Sequence, residues 1–250
     1  MPAELVAAAF SAFLVFARVG AMIMLLPGLG EPGVPPRARL GLALLISMAL
    51  APGLAPMFPS MPSEPIPLAG LIITEVLIGL AFGAALRMTL AAISVAGQVI
   101  AMQTGLAMAM AFDPSQGQQG TLLSAFLNIT AIAFLFATGL HQVFLAGVRG
   151  VFMLVPPGSE LMLGDFAELG LSTFARTFMV GMQIAAPLIV FGLVFYMTMG
   201  VLSRLMPQAQ IFFIAMPSTI LLGLTILAAT LGAGLIVWSN FARDVAMSWV

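Results

Sequence analysis

The sequence predicts an all-α, polytopic membrane protein with about six hydrophobic helical segments, several of them long and kinked. Three observations carry that expectation. Across 250 residues the chain is 62% hydrophobic and only 7% charged, against roughly 25% charged in soluble domains. Its apolar runs are long enough to cross a hydrocarbon core of about 30 Å. Clusters of Pro and Gly punctuate those runs where connections are needed.

Composition also excludes function classes. A net charge of -1 and a pI near 5.7 offer no basic face for nucleic acid. The absence of cysteine removes disulfides, thiolate metal sites and cysteine nucleophiles, and His141 is the single histidine. All basic residues are arginine, which reads as base composition and carries no functional meaning. No His-Glu-x-x-His helix, Gly-x-Ser-x-Gly elbow or Lys-bearing phosphate loop occurs, so no catalytic residue, cofactor site or metal site is expected. The acidic start and the length of the first apolar run predict no cleavable signal.

In order, residues 4–26 form the first expected span, followed by a stiff Pro/Gly loop that ends in Arg37 and Arg39. Residues 40–55 form the second. A proline-rich loop with Glu64 as its only charge comes next. Counting arginines puts the first loop in the cytoplasm and the second outside, with both termini outside. The third run, 68–110, would reach roughly 65 Å as one helix. Arg87 is therefore expected to divide it into a lipid-depth helix and a non-spanning helix over 88–112. Residues 122–155 should break near Gly139, His141 and Gln142. An acidic loop with Asp165 and Glu168 comes next, then a run over 166–201 kinked at Pro187. A last run over 211–238 is interrupted at Pro217, with Arg243, Asp244 and Trp249 in an interface-like tail.

Residues 105–120 stand apart: Gly-Leu-Ala-Met-Ala-Met-Ala-Phe-Asp-Pro-Ser-Gln-Gly-Gln-Gln-Gly. Pro114 restricts Asp113 away from the helical region, and Gly117 and Gly120 loosen the chain beyond it. On local chemistry this is either a simple connection or a flexible polar element with an apolar lead-in. Methionine suits a seal that must deform, and it is equally a common filler of apolar cores.

Small residues recur at helix-packing spacing at Gly79 and Gly83, at Gly97, Ala101 and Gly105 beside Gln103, and at Gly192, Tyr196 and Gly200. Such stripes serve packing within a chain or contact between subunits. Arg18, Glu75, Arg87, Arg149 and Arg176 lie inside apolar runs, where each charge costs about 2.5–3.5 kcal/mol at a bilayer centre. They point to ion pairs between helices, Glu75 with one of the arginines, or to an ion relay; a relay usually shows several acids or histidines.

Several blocks taken in order resemble the FliR family of flagellar export-gate proteins, whose relatives serve virulence type III secretion. They are Pro27, Val34-Pro35, Arg37, Leu40-Gly41-Leu42-Ala43 and Ala51-Pro52; then Ala96-Gly97, Gln103, Gly105-Leu106, Phe112, Asp113-Pro114, Gly139, His141 and Pro156; then Pro207-Gln208, Ile211-Phe212, Ile214 and Pro217. The resemblance implies a FliP-like helical part over 1–165 and a FliQ-like hairpin with tail over 166–250, packed in a helical hetero-oligomer. Implied partners are FliP-like, FliQ-like, FlhB-like and FlhA-like proteins in the inner membrane and flagellar basal body, with unfolded flagellar proteins as cargo. It implies that residues 105–120 plug the lumen, with Met108, Met110, Phe112, Asp113, Pro114, Ser115, Gln116 and Gly117 at the gate. The Gln/Gly content after Ser115 departs from the family pattern. A virulence export gate and a stand-alone ion-coupled transporter using Glu75 and Arg87 are the alternatives.

Overall fold

A computed structural model describes residues 2–107, 122–159, 163–206 and 211–249. Among them every regular element is helical: α1 (Pro2–Leu25), α2 (Pro36–Leu54), α3 (Pro65–Gln103), α4 (Leu122–Ala137), α5 (Leu140–Leu154), α6 (Leu163–Leu205) and α7 (Ile211–Met247), with one 3-10 turn at Ala55–Met57. Five helices are long and apolar enough to cross a membrane, and α4 with α5, bent by 75°, could supply a sixth span. The fold is all-α and polytopic.

Local chemistry explains most boundaries. Proline opens α2 at its first position, where the missing N–H would have no partner in any case. Gly139, at φ 72°, turns the chain between α4 and α5 in a conformation that glycine adopts without penalty. Asp165 falls in the first turn of α6 and Arg204 in its last, each complementing the helix dipole.

Several expectations need correction. Arg87 does not divide the third run: α3 is one helix of 39 residues, roughly 58 Å long, because the arginine's charge is met by a loop acid. Pro217 does not interrupt the last run, since α7 continues through it; α6 is likewise one helix through Pro187. One proline removes one backbone bond, and the many bonds on either side hold the helix. Arg37, Arg39, Pro65 and Pro67 belong to first turns rather than to loops. Asp165 and Glu168 are helical as well. The tail is not an interface fringe. Helix α7 runs to Met247, and Trp249 is 2% exposed.

The chain forms two compact units, the first comprising residues 1–88, 135–174 and 242–250, the second 89–134 and 175–241. In the first, α1 buries Leu14, Val15, Arg18, Val19, Met22 and Ile23, a stripe at helical spacing. Gly79 and Gly83 of α3 let it approach that stripe: a methyl at Gly79 would strike the carbonyl of Arg18, and one at Gly83 would lie 2.9 Å from Leu25 Cβ. Gly147 of α5 admits the ring of Phe82 in the same way, 2.9 Å from where a Cβ would stand. Trp249 closes this core edge-on to Phe82, at 5.5 Å between centroids.

The second unit packs the later half of α3 with α4, α6 and α7. Its buried side chains include Ile93, Ile100, Leu127, Leu188 and Trp238, whose indole Nε1 donates to the Thr89 carbonyl at 2.9 Å. A Cβ on Gly181 would stand 2.9 Å from the Val95 Cβ of α3, and one on Gly234 would stand 3.1 Å from the Ile184 Cγ2. Small-residue contacts of this kind drive helix association where lipid removes the hydrophobic incentive.

Candidate functional site

The second unit holds both stems of the 105–120 segment. Helix α3 ends at Gln103. Thr104 then donates its N–H and its Oγ1 to the Ile100 carbonyl, both at 2.9 Å, and its side chain is fully buried. Gly105 takes φ 73° and returns its N–H to the Met102 carbonyl at 3.3 Å, a left-handed helix stop. Among the described residues nothing lies within 4 Å of where its Cβ would stand, and Gly105 there makes a turn.

The two residues before that turn are seated in glycine notches. Gln103 packs on Gly192 of α6, with the Tyr196 hydroxyl donating to the Gln103 carbonyl at 3.4 Å. Thr104 packs on Gly223 of α7, its Cγ2 in the space a methyl there would take. The returning stem is held as tightly. A Cβ on Gly97 would stand 2.5 Å from the Ser124 Cα, so α3 and α4 touch backbone to backbone. Ser124 Oγ donates to the Ser94 carbonyl at 3.2 Å, and Asn128 Nδ2 donates to Ser94 Oγ at 3.0 Å. These polar contacts lie between apolar helices, where an unmet group would be costly. The base of the segment is fixed on both sides. Met108, Met110, Phe112, Asp113, Pro114, Ser115, Gln116 and Gly117 lie outside the described residues.

The charged residues fall elsewhere and apart. Arg18 Nε donates to Glu75 Oε2 at 2.6 Å with both side chains at 0% exposure, and its Nη1 donates to the carbonyls of Val155 (2.7 Å) and Val151 (3.3 Å) at the end of α5. The guanidinium also lies 4.4 Å from the Phe152 ring centroid. One arginine thus ties three helices. Arg87 instead forms a two-point pair with Glu31 in the α1–α2 loop, partly exposed. Arg176 stands 5.2 Å from the Phe241 ring centroid. His141 packs beside Phe136 at 5.2 Å, two residues after the Gly139 turn. Among the described residues no three His, Asp or Glu groups gather as a metal site would require.

Sequence reasoning singled out Gly97, Gln103 and Gly192 but missed Gly223, Ser94, Ser124 and Asn128. Their pairings join positions far apart in the chain, and the one available signal was a polar residue at helical spacing in each apolar run.

The fold and site together define a polytopic helical membrane protein in which the residues flanking one internal segment are seated against glycines of other helices. The family model for bacterial export proteins, family 1, matches residues 9–245. The flagellar biosynthetic protein FliR of Caulobacter vibrioides is 40% identical over 236 residues, 94% of each chain. That of Escherichia coli is 31% identical over 217 residues, covering 85% of this chain and 80% of its own. That of Bacillus subtilis is 27% identical over 237 residues, covering 92% and 90%. The chain belongs to bacterial export protein family 1, among its FliR members.

Proposed function

We propose that this chain is a structural and gating subunit of the flagellar type III protein export channel, in which residues 105–120 help close the pore. The observation that carries the gating role is the double seating of the segment's stems: Gln103 and Thr104 on Gly192 and Gly223, and Ser124 on Gly97. A connection needs only to reach, whereas a plug must be held at its base and free at its tip. Met108, Met110 and Phe112 then supply a deformable apolar constriction, with Asp113-Pro114 and the Gln/Gly tract around Gly117 as the moving part.

In this reading residues 1–165 are FliP-like and 166–250 form a FliQ-like hairpin, in an assembly with FliP-like, FliQ-like, FlhB-like and FlhA-like proteins in the inner membrane and basal body. The role is non-enzymatic, and cargo is unfolded flagellar protein. Long helices with exposed apolar faces support partners beyond lipid, since α6 at 43 residues reaches roughly 65 Å, twice a hydrocarbon core. The names of the curated relatives favour the flagellar over the virulence assignment. The test is co-purification. A tagged chain expressed with its FliP-like and FliQ-like neighbours should elute in one complex, and a chain that instead elutes alone and transports solute in vesicles would contradict the proposal.

A further inference from the structure

Helix α5 buries Phe144, Gly147, Val148, Val151 and Phe152 within the first unit. Its other side carries Gln142, Ala146, Arg149 and Met153, all exposed and spaced by four, three and four residues, so they share one face. Leu145, Ala146 and Met153 are the surface neighbours of Arg149 on the helix, and Met153 is 52% exposed. The guanidinium therefore rises from an apolar surface. The gating role makes no use of this face.

Other arginines of apolar helices are met within the chain. Arg18 pairs with Glu75, Arg87 pairs with Glu31, and Arg176 lies over the Phe241 ring. Arg149 and Gln142 form no hydrogen bond or ion pair with any described residue. Helix α5 belongs to the bent pair that is long and apolar enough for a sixth span, where an unmatched charge is costly. Its counter-charge must come from outside the chain. A lipid phosphate suits the place poorly. Side chains lean toward the N-terminus of their helix, so Arg149 leans over Ala146, toward the bend with α4 and away from the nearer end of α5 at Leu154. A second copy suits it no better, because Glu75, the acid lying midway along an apolar helix, is buried and already paired.

We propose that the face of α5 carrying Gln142, Ala146 and Arg149 docks an apolar helix of a different protein, one that turns an aspartate or glutamate toward Arg149. That carboxylate accepts from the guanidinium in a charge-assisted hydrogen bond. A polar side chain of the same helix pairs with the Gln142 carboxamide, and Ala146 allows the close approach that small residues permit between helices. Met153 is flexible enough to fill what the neighbour leaves open. The proposal rests on the reading of the chain as one subunit of a channel, and it adds the chemistry of the neighbour.

The test uses the full chain in its membrane complex. The photo-crosslinking residue benzoylphenylalanine replaces Met153, and the adduct is identified by mass spectrometry. We expect it on an apolar segment of a different protein that contains an aspartate or glutamate. Arg149→Glu should then lower the amount of that protein co-eluting with the tagged chain by about tenfold or more, the scale of a desolvated charge pair turned repulsive, while Arg149→Lys should keep most of it. Exchanging the identified acid for arginine should restore co-elution with Arg149→Glu. Ala146→Cys, in a chain with no cysteine of its own, should resist a charged methanethiosulfonate reagent in the assembled complex. Adducts to lipid, to a second copy or to no protein, unchanged co-elution in Arg149→Glu, no rescue by the charge exchange, or ready labelling of Ala146→Cys would each overturn the proposal. A wild-type chain that elutes alone would overturn the export reading as well, whereas an intact complex insensitive to Arg149→Glu would overturn this contact only.

Discussion

Arg18 and Glu75, on α1 and α3, form a charged pair that water does not reach, and the same arginine holds the carbonyl end of α5. Breaking such a pair leaves a buried charge unmatched, at a cost of about 3–5 kcal/mol. Glu75→Ala should therefore lower the thermal unfolding midpoint of the purified complex and reduce recovery of monodisperse protein. The double replacement Arg18→Met with Glu75→Leu should restore most of the loss, since it removes both charges and keeps apolar volume. Wild-type stability in Glu75→Ala alone would show that the pair does not hold the first unit together.

Arg87 and Glu31 make the contrasting case. Their side chains are 42% and 22% exposed, so solvent and salt screen them. Glu31→Gln should cost less than about 1 kcal/mol. Thermal scans at low and high salt are expected to separate wild type from variant slightly at low salt and not at high salt.

Backbone contact between α3 and α4 makes Gly97 intolerant. A methyl there meets the Ser124 Cα, which no rotamer change can move. Gly97→Ala should destabilise by about 1–3 kcal/mol through overpacking. Gly200→Ala, on α6 with open space around it, should be neutral or slightly stabilising, because alanine favours helix over glycine by up to about 1 kcal/mol. Equal effects from the two changes, read as unfolding midpoints, would remove the close approach from the account.

How much of the fold and the site is legible in the sequence depends on the range of each interaction. Hydropathy and length locate the apolar helices, and Gly139 marks the bend between α4 and α5, because these are local properties. Local rules mislead where distant bonding outweighs them. Arg87 looks like a helix divider only while its partner Glu31 is unknown, and Pro217 looks like an interruption although a long helix absorbs one missing bond. Trp249 reads as an interface residue, and the Phe82 and Phe166 rings that bury it come from other parts of the chain. The notches at Gly192 and Gly223 are hidden for the same reason: a glycine announces small size, not which side chain fills the space.

The stem of the 105–120 segment gives a test with an internal rescue. Gly223→Ala drives a methyl into Thr104 Cγ2 and should unseat the end of α3. Thr104→Ser removes that methyl and keeps the hydroxyl bond to Ile100, so the double variant should regain wild-type behaviour. Gly192→Ala should be milder, because the Gln103 side chain can turn away. Passive solute entry into cells that express the assembled gate is the readout, with an expected order of Gly223→Ala above Gly192→Ala above the rescued pair.

Deleting residues 108–119 tests the central claim most directly, since it removes the proposed plug and keeps both stems. Complexes carrying the deletion should assemble with unchanged composition and admit small solutes or pass ionic current across a planar bilayer that the intact complex blocks. A deletion that assembles normally and stays as tight as wild type would contradict the claim that this segment closes the pore.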